Sequence, residues 1–136
     1  MLNNTERYFF GKEDRLKSRK IIEKLFKQGN SFSNFPFRIL WLNENHISHL
    51  QAGVGVSSRS FKKATDRNHI KRLMREGYRL QKNTLQNQLA EQNKHLSVFI
   101  LYTGKEIPDY DLVYEKMGVV INRLAKFLHE KNQPHT

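Results

Sequence analysis

The sequence predicts an α/β (α+β) two-layer sandwich, a small sheet packed by helices, and three observations carry that prediction. Val113, Met117, Val120, Ile121, Leu124, Phe127 and Leu128 recur at helical spacing and form a single apolar stripe. Leu96–Tyr102 (LSVFILY) is an unbroken apolar run with the length of a buried central strand. Residues 35–42 alternate as a half-buried strand does. Helices and strands interleaved in this way pack as helices on a sheet. A chain of 136 residues suits one domain, 1–136, with one core.

Taken in order, the first fourteen or so residues form an expected mobile arm, although Tyr8, Phe9 and Phe10 give it something to dock with. A first helix is expected over 18–28. Ser18 is the candidate N-cap, Ile22, Leu25 and Phe26 recur at helical spacing, and Gly29-Asn30 stops it. The strand over 35–42 puts Phe37, Ile39 and Trp41 on one face and Arg38, Leu40 and Leu42 on the other. Residues 43–49 read as a polar loop. A strand over 51–58 sets Ala52, Val54 and Val56 against Gly53, Gly55 and Ser57, and glycines there admit close approach of a backbone or ligand. A basic helix over 63–82 follows, then a polar stretch over 83–94, the apolar strand, and a turn over 103–108. Asp109 or Asp111 is placed to cap the last helix. Residues 131–136 read as a frayed tail.

Composition narrows the function. There is no Cys, which removes disulfides, thiolate metal sites and Cys nucleophiles and fits a reducing, cytoplasmic setting. No apolar run approaches the roughly 18 residues of a membrane span, and the first residues lack the apolar core of a secretory signal. The chain carries 24 Lys and Arg against 13 Asp and Glu, a formal charge of +11. That charge is concentrated. Residues 59–82 hold nine bases and two acids, whereas 83–136 hold six of each. Such a block points to a polyanionic partner.

The basic helix organises the charge. At 100° per residue, Ile70, Leu73, Met74 and Gly77 share one arc, and Asn68, Lys71, Arg72, Arg75, Arg79 and Lys82 fall opposite, with Arg67 at the edge. Asn68, Arg72, Arg75 and Arg79 rise along one side at about 5–6 Å per turn, near the spacing of phosphates along a strand. Arginine forks pair with phosphate oxygens and stack on bases, which lysine does not do. Like charges at these spacings repel, so stability alone does not favour the arrangement. No Trp or Phe borders the basic arc, which disfavours a membrane surface.

Other constellations carry less. His46 and His49 form a His-x-x-His with no third ligand at a telling spacing. The run over 53–58 (GVGVSS) lacks the last glycine of a dinucleotide-binding loop and opens no helix. Asp109, Asp111 and Glu115 read as charge at a helix N-terminus. No protein-borne nuclease constellation is visible.

In 53–76 the sequence resembles the protein subunit of bacterial ribonuclease P. The resemblance runs through 53–58, through 59–66 (RSFKKATD), and most specifically through 67–76 (RNHIKRLMRE). Upstream, 15–17 (RLK) and 25–29 (LFKQG) are similar to the family's first helix and its end. It covers roughly 15–128. Two positions depart: His69 stands where the family pattern has Arg, and Ile22 where it has an aromatic.

The resemblance implies an α-β-β-β-α-β-α order with a left-handed β-α-β crossover. It implies a non-catalytic subunit of a ribonucleoprotein that removes the 5′ leader of precursor tRNA, with Mg²⁺ held mainly by the catalytic RNA and the substrate. The RNA subunit would be bound by Arg59, Lys62, Lys63, Arg67, Asn68, His69, Lys71, Arg72, Arg75 and Arg79, one protein per RNA. The leader would lie in a cleft lined by Ile22, Phe26, Arg38 and Leu40, an apolar floor with a cationic rim. Lys17, Arg19 and Lys20 are within reach of that rim. The alternative is a ribosomal-type or RNA-chaperone binding module with no part in tRNA cleavage.

Overall fold

The computed structural model describes residues 10–43 and 49–130. A 3₁₀ turn at Lys12–Asp14 precedes α1 (Arg19–Gln28), β1 (Asn30–Asn34), β2 (Phe37–Asn43), β3 (Leu50–Val56), α2 (Ala64–Gln81), α3 (Asn83–Glu91), β4 (Leu96–Tyr102) and α4 (Tyr110–Glu130). The sheet runs in the order β1-β2-β4-β3. β1 pairs antiparallel with β2, β2 antiparallel with β4, and β3 parallel with β4. The parallel pair is joined through α2 and α3, so the chain leaves one strand and returns beside it.

Capping follows the sequence. The Ser18 hydroxyl oxygen accepts from the Ile21 amide, and the Asp109 carboxylate accepts from the Leu112 amide at 2.9 Å. At Gly29 the amide donates to the Leu25 carbonyl, and a Cβ there would lie 2.5 Å from that oxygen. Glycine therefore lets the chain turn out of α1 directly into β1.

The period-2 rule divides the sheet into two unequal faces. On one face Phe37, Ile39, Trp41, Ala52, Val98, Ile100 and Tyr102 meet Ile70, Met74 and Tyr78 of α2 and the apolar stripe of α4. On the other, α1 covers the sheet, and Leu16, Leu25 and Leu40 form a small second core. α1 lies over β2 and β4, while the 3₁₀ turn and the segment through Leu16 pack along β3. Below β3, α2 fills the opposite face.

The structure departs from the sequence reading at three places. Residues 30–34, unassigned from sequence, form an edge strand whose Phe32 packs on Phe127 at 5.2 Å between ring centroids. The polar stretch after 82 is mostly α3, held by two fully buried leucines, Leu85 and Leu89. From Phe10 onward the arm is held: Phe10 is buried against Tyr78, ring centroids 5.3 Å apart, and the Leu16 amide donates to Ala52 along the free edge of β3. Residues 1–9 and 131–136 lie outside the described residues, as does His46; His49 stacks on His95 instead, 4.5 Å between centroids.

Candidate nucleic-acid interface

The basic helix begins with a pinned loop. Phe61 is buried, with its ring 6.0 Å from that of Tyr102, and its amide donates to the Ser57 carbonyl. Arg67 Nη1 donates to the carbonyls of Phe61 and Lys62 at 2.7 and 2.9 Å. Arg67, at the edge of the basic arc, fastens this loop to the first turn of α2 through one arm of its fork. Arg59, Lys62 and Lys63 project from the same loop and are exposed.

Along α2 the ridge is narrower than the wheel drawn from sequence. Asn68, His69 and Arg72 are exposed, and Lys71 is partly so. Arg79 grips Glu76 through both nitrogens of its fork, Nε at 3.3 Å and Nη2 closer, which takes it out of the unpaired set. Lys82 is only 3% exposed and donates to Gln86 Oε1 at 2.7 Å. Its burial has a clear cause. The docked arm covers Tyr78 and carries Asp14 to this side of the helix, so the buried arc widens past the four residues that the periodicity marked.

Arg75 belongs to both surfaces. It turns toward β3 and lines a cavity of about 160 Å³ with Arg15, Lys17, Leu16, Ile22, Gly53 and Phe99. Partial burial, and then the charge of Arg15, pull its pKa below the ordinary arginine value. Two guanidinium groups that face one side of a cavity favour an anion between them.

Through Ile22 and Phe99 that cavity opens toward α1, with Gly53 and Val54 of β3 on its other side. Its floor depends on the two glycines of the third strand. A Cβ at Gly53 would lie 3.1 Å from Phe99 Cδ1, and one at Gly55 would lie 2.7 Å from Phe99 Cζ. Their absence lets the Phe99 ring lie flat across β3. Phe26 projects from α1 over the same floor with half of its surface exposed, its ring centroid 5.7 Å from that of Phe99. Ile22 is half-buried beside it, and Arg38 is exposed on this face of β2. Arg19, Lys20 and Lys17 are exposed around α1.

Leu40 is a correction. It shares the strand face with Arg38, but it is 2% exposed and packed beneath Leu25 and Leu16. It supports α1 from below and offers no surface to a ligand. Phe99 is the residue that sequence reasoning missed, since an unbroken apolar run reads as core on both faces. The available signal was the glycine pair opposite it.

An aromatic floor, a rim of cations and an adjoining exposed basic helix face suit single-stranded nucleic acid in the cleft and folded nucleic acid on the ridge. The chain is similar to known proteins. The family model described as Ribonuclease P matches residues 10–125. The ribonuclease P protein component of Porphyromonas gingivalis is 31% identical over 116 residues, 84% of this chain and 85% of that protein. That of Vibrio cholerae is 31% identical over 119 residues, 88% of this chain and 94% of that protein. The solved ribonuclease P protein from Thermotoga maritima matches with a TM-score of 0.60 at 26% identity, over 80% of this chain and 96% of that one. The Staphylococcus aureus ribonuclease P protein has the same fold, with a TM-score of 0.63 over 85% of this chain and 97% of that one, at 20% identity.

Proposed function

This chain belongs to the ribonuclease P protein family, and from that premise we propose that it binds the catalytic RNA of a bacterial ribonuclease P and the 5′ leader of precursor tRNA. In this reading the RNA subunit, with Mg²⁺, supplies the hydrolysis that frees the mature 5′ end. The protein supplies binding and orientation. Ammonium and guanidinium groups dominate ridge and cleft and repel a divalent cation, so Mg²⁺ is assigned to RNA oxygens rather than to a protein cage.

The ridge takes the RNA subunit. Arg59, Lys62, Lys63, Asn68, His69, Lys71 and Arg72 present cations and hydrogen-bond donors from one loop and one helix face. The Arg67 fork keeps the loop in register with that face. The cleft takes the leader. Bases stack on Phe26 and Phe99, and phosphates meet Arg15, Arg75, Lys17 and Arg38. The junction of the two surfaces at Arg75 supports the reading most directly. A strand leaving a folded RNA on the ridge reaches the cleft within a few nucleotides, so the two RNAs are held side by side. We assign one protein to each RNA and a cytoplasmic site of action.

The test is reconstitution. The protein is mixed with a bacterial ribonuclease P RNA at low Mg²⁺ and a labelled precursor tRNA. Leader release is expected to rise well above that of the RNA alone, and to vanish when the RNA subunit is omitted. No rise would leave a plain RNA-binding module, and cleavage without the RNA subunit would mark a protein nuclease.

A further inference from the structure

A second cavity lies outside the cleft and past the C-terminal end of the ridge, in the seam between the end of α2, the start of α3 and the middle of α4. Its volume is about 420 Å³, and among the described residues no charged side chain lines it. In a chain of net charge +11, a site for phosphate would be expected to carry a base. The lining is instead amide and hydroxyl, from Gln81, Asn83, Thr84, Asn87 and Asn122, over an apolar base of Leu80 and Ile121.

One wall is rigidly built. Gln81 Nε2 donates to the Gly77 carbonyl at 3.0 Å and, across the helix seam, to the Tyr114 carbonyl at 2.9 Å. Both amide protons are thereby committed. The Oε1 atom lies against Gly118, where a Cβ would sit 2.6 Å away. Glycine at 118 therefore makes room for this clamp, and Gln81 offers the cavity an acceptor only. The asparagines offer both donors and acceptors. A flat neutral ligand with a mixed donor and acceptor edge satisfies such a lining, and its face rests on Leu80 and Ile121.

We propose that this cavity receives one unstacked nucleobase of the RNA partner, preferring a base whose exocyclic amine donates to Gln81 Oε1. The proposal rests on the RNA-binding reading above. The cavity begins one residue beyond Arg79, and Arg72 lies eight residues before Leu80, about 12 Å along the helix axis.

The test uses the full chain bound to a bacterial ribonuclease P RNA that is probed with dimethyl sulfate, which marks the pairing edges of unpaired adenine and cytosine. Wild type is expected to protect one such base. Asn87→Ala/Asn122→Ala is expected to restore its reactivity and to weaken RNA binding about tenfold. Both asparagines are exposed, so the thermal transition should stay in place. Gly118→Ala, which displaces the Gln81 carboxamide, should restore reactivity at the same base. Identical modification patterns for wild type and both variants overturn the proposal. Failure of wild type to bind the RNA at all strikes the underlying reading instead. A second arm titrates adenosine and cytidine, which carry no charge for the ridge, into isotope-labelled protein. Shifts at Asn87, Asn122 and Gly118 alongside an unaltered RNA pattern would assign the cavity to a free nucleoside and overturn the RNA source.

Discussion

Phe26 of α1 and Phe99 of β4 meet at the mouth of the cleft, ring centroids 5.7 Å apart and planes inclined at 59°. One ring rides on a helix that buries little else of its outer face, and the other lies over a strand stripped to glycine. Phe26→Ala removes half of this platform while leaving Leu25, the residue that anchors α1, in place. Stacking contributes about 1–3 kcal/mol per base, so affinity for a leader-bearing precursor should fall about tenfold. Affinity for leaderless tRNA should hold. Filter binding with the two substrates decides it, and an equal loss with both would make Phe26 scaffold.

Gly55→Ala tests the floor without touching an aromatic. The new methyl would sit 2.7 Å from Phe99 Cζ, so the ring must move. Leader affinity should fall as it does for Phe26→Ala, with a cost in stability of about 1–3 kcal/mol from overpacking. Gly11→Ala, which meets nothing within 4 Å, is the matched control and should change neither quantity. Thermal unfolding and leader binding, measured together, check both variants.

Arg67 and Arg72 stand five residues apart in the sequence signature but should behave differently. Arg72 is exposed, so Arg72→Ala should leave the melting temperature unchanged. It should weaken RNA-subunit binding and lower the salt slope by about one. Arg67→Ala also releases the carbonyls of Phe61 and Lys62, and should cost about 1 kcal/mol of stability. Calorimetry beside a salt titration of binding separates the two. Equal melting temperatures would remove Arg67 from the loop's support.

Tyr78 is expected to contribute to the loss of stability at alkaline pH. Burial pushes its phenol above the ordinary 10.0, and the charge of Asp14 adds to the shift. The folded chain holds that proton more tightly than the unfolded chain. Its share of stability is thus full below about pH 10 and is lost as pH climbs further. Lys82, pulled below 10.5 by burial, acts with the opposite sign: its share rises with pH up to that value. The hydroxyl of Tyr78 has no partner among the described residues. Tyr78→Phe should therefore raise stability by about 1 kcal/mol near neutrality and flatten the fall above pH 10. Urea unfolding at pH 7, 9 and 11 is the check, and an unchanged alkaline slope would contradict it.

The legible parts of the sequence were those with a period. α1, α2 and α4 announce themselves at 3.6 residues, and Phe37, Ile39 and Trp41 at two, and all three of these strand residues sit in the main core. β1 was hidden because NSFSN has one apolar residue and owes its state to pairing with β2. α3 was hidden because two leucines four apart carry its whole buried face. The ridge residues were legible as a set, but which of them stay free was not. Arg67, Arg75, Arg79 and Lys82 are each redirected by surroundings that the wheel does not show: two loop carbonyls, the cleft beside Arg15, the carboxylate of Glu76, and burial with a bond to Gln86. Leu40 shows the same limit from the other side, since a strand face fixes direction and only the helix above decides exposure.

The central claim is that one small protein seats a catalytic RNA on one surface and reads the leader with the next. The measurement that meets it directly is the affinity of the ribonuclease P RNA for precursor and for mature tRNA, each with and without this protein. Added protein should strengthen binding of the precursor by ten-fold or more, as about one or two stacked bases provide, and should leave mature tRNA nearly unchanged. Equal gains for both, or none for either, would contradict it.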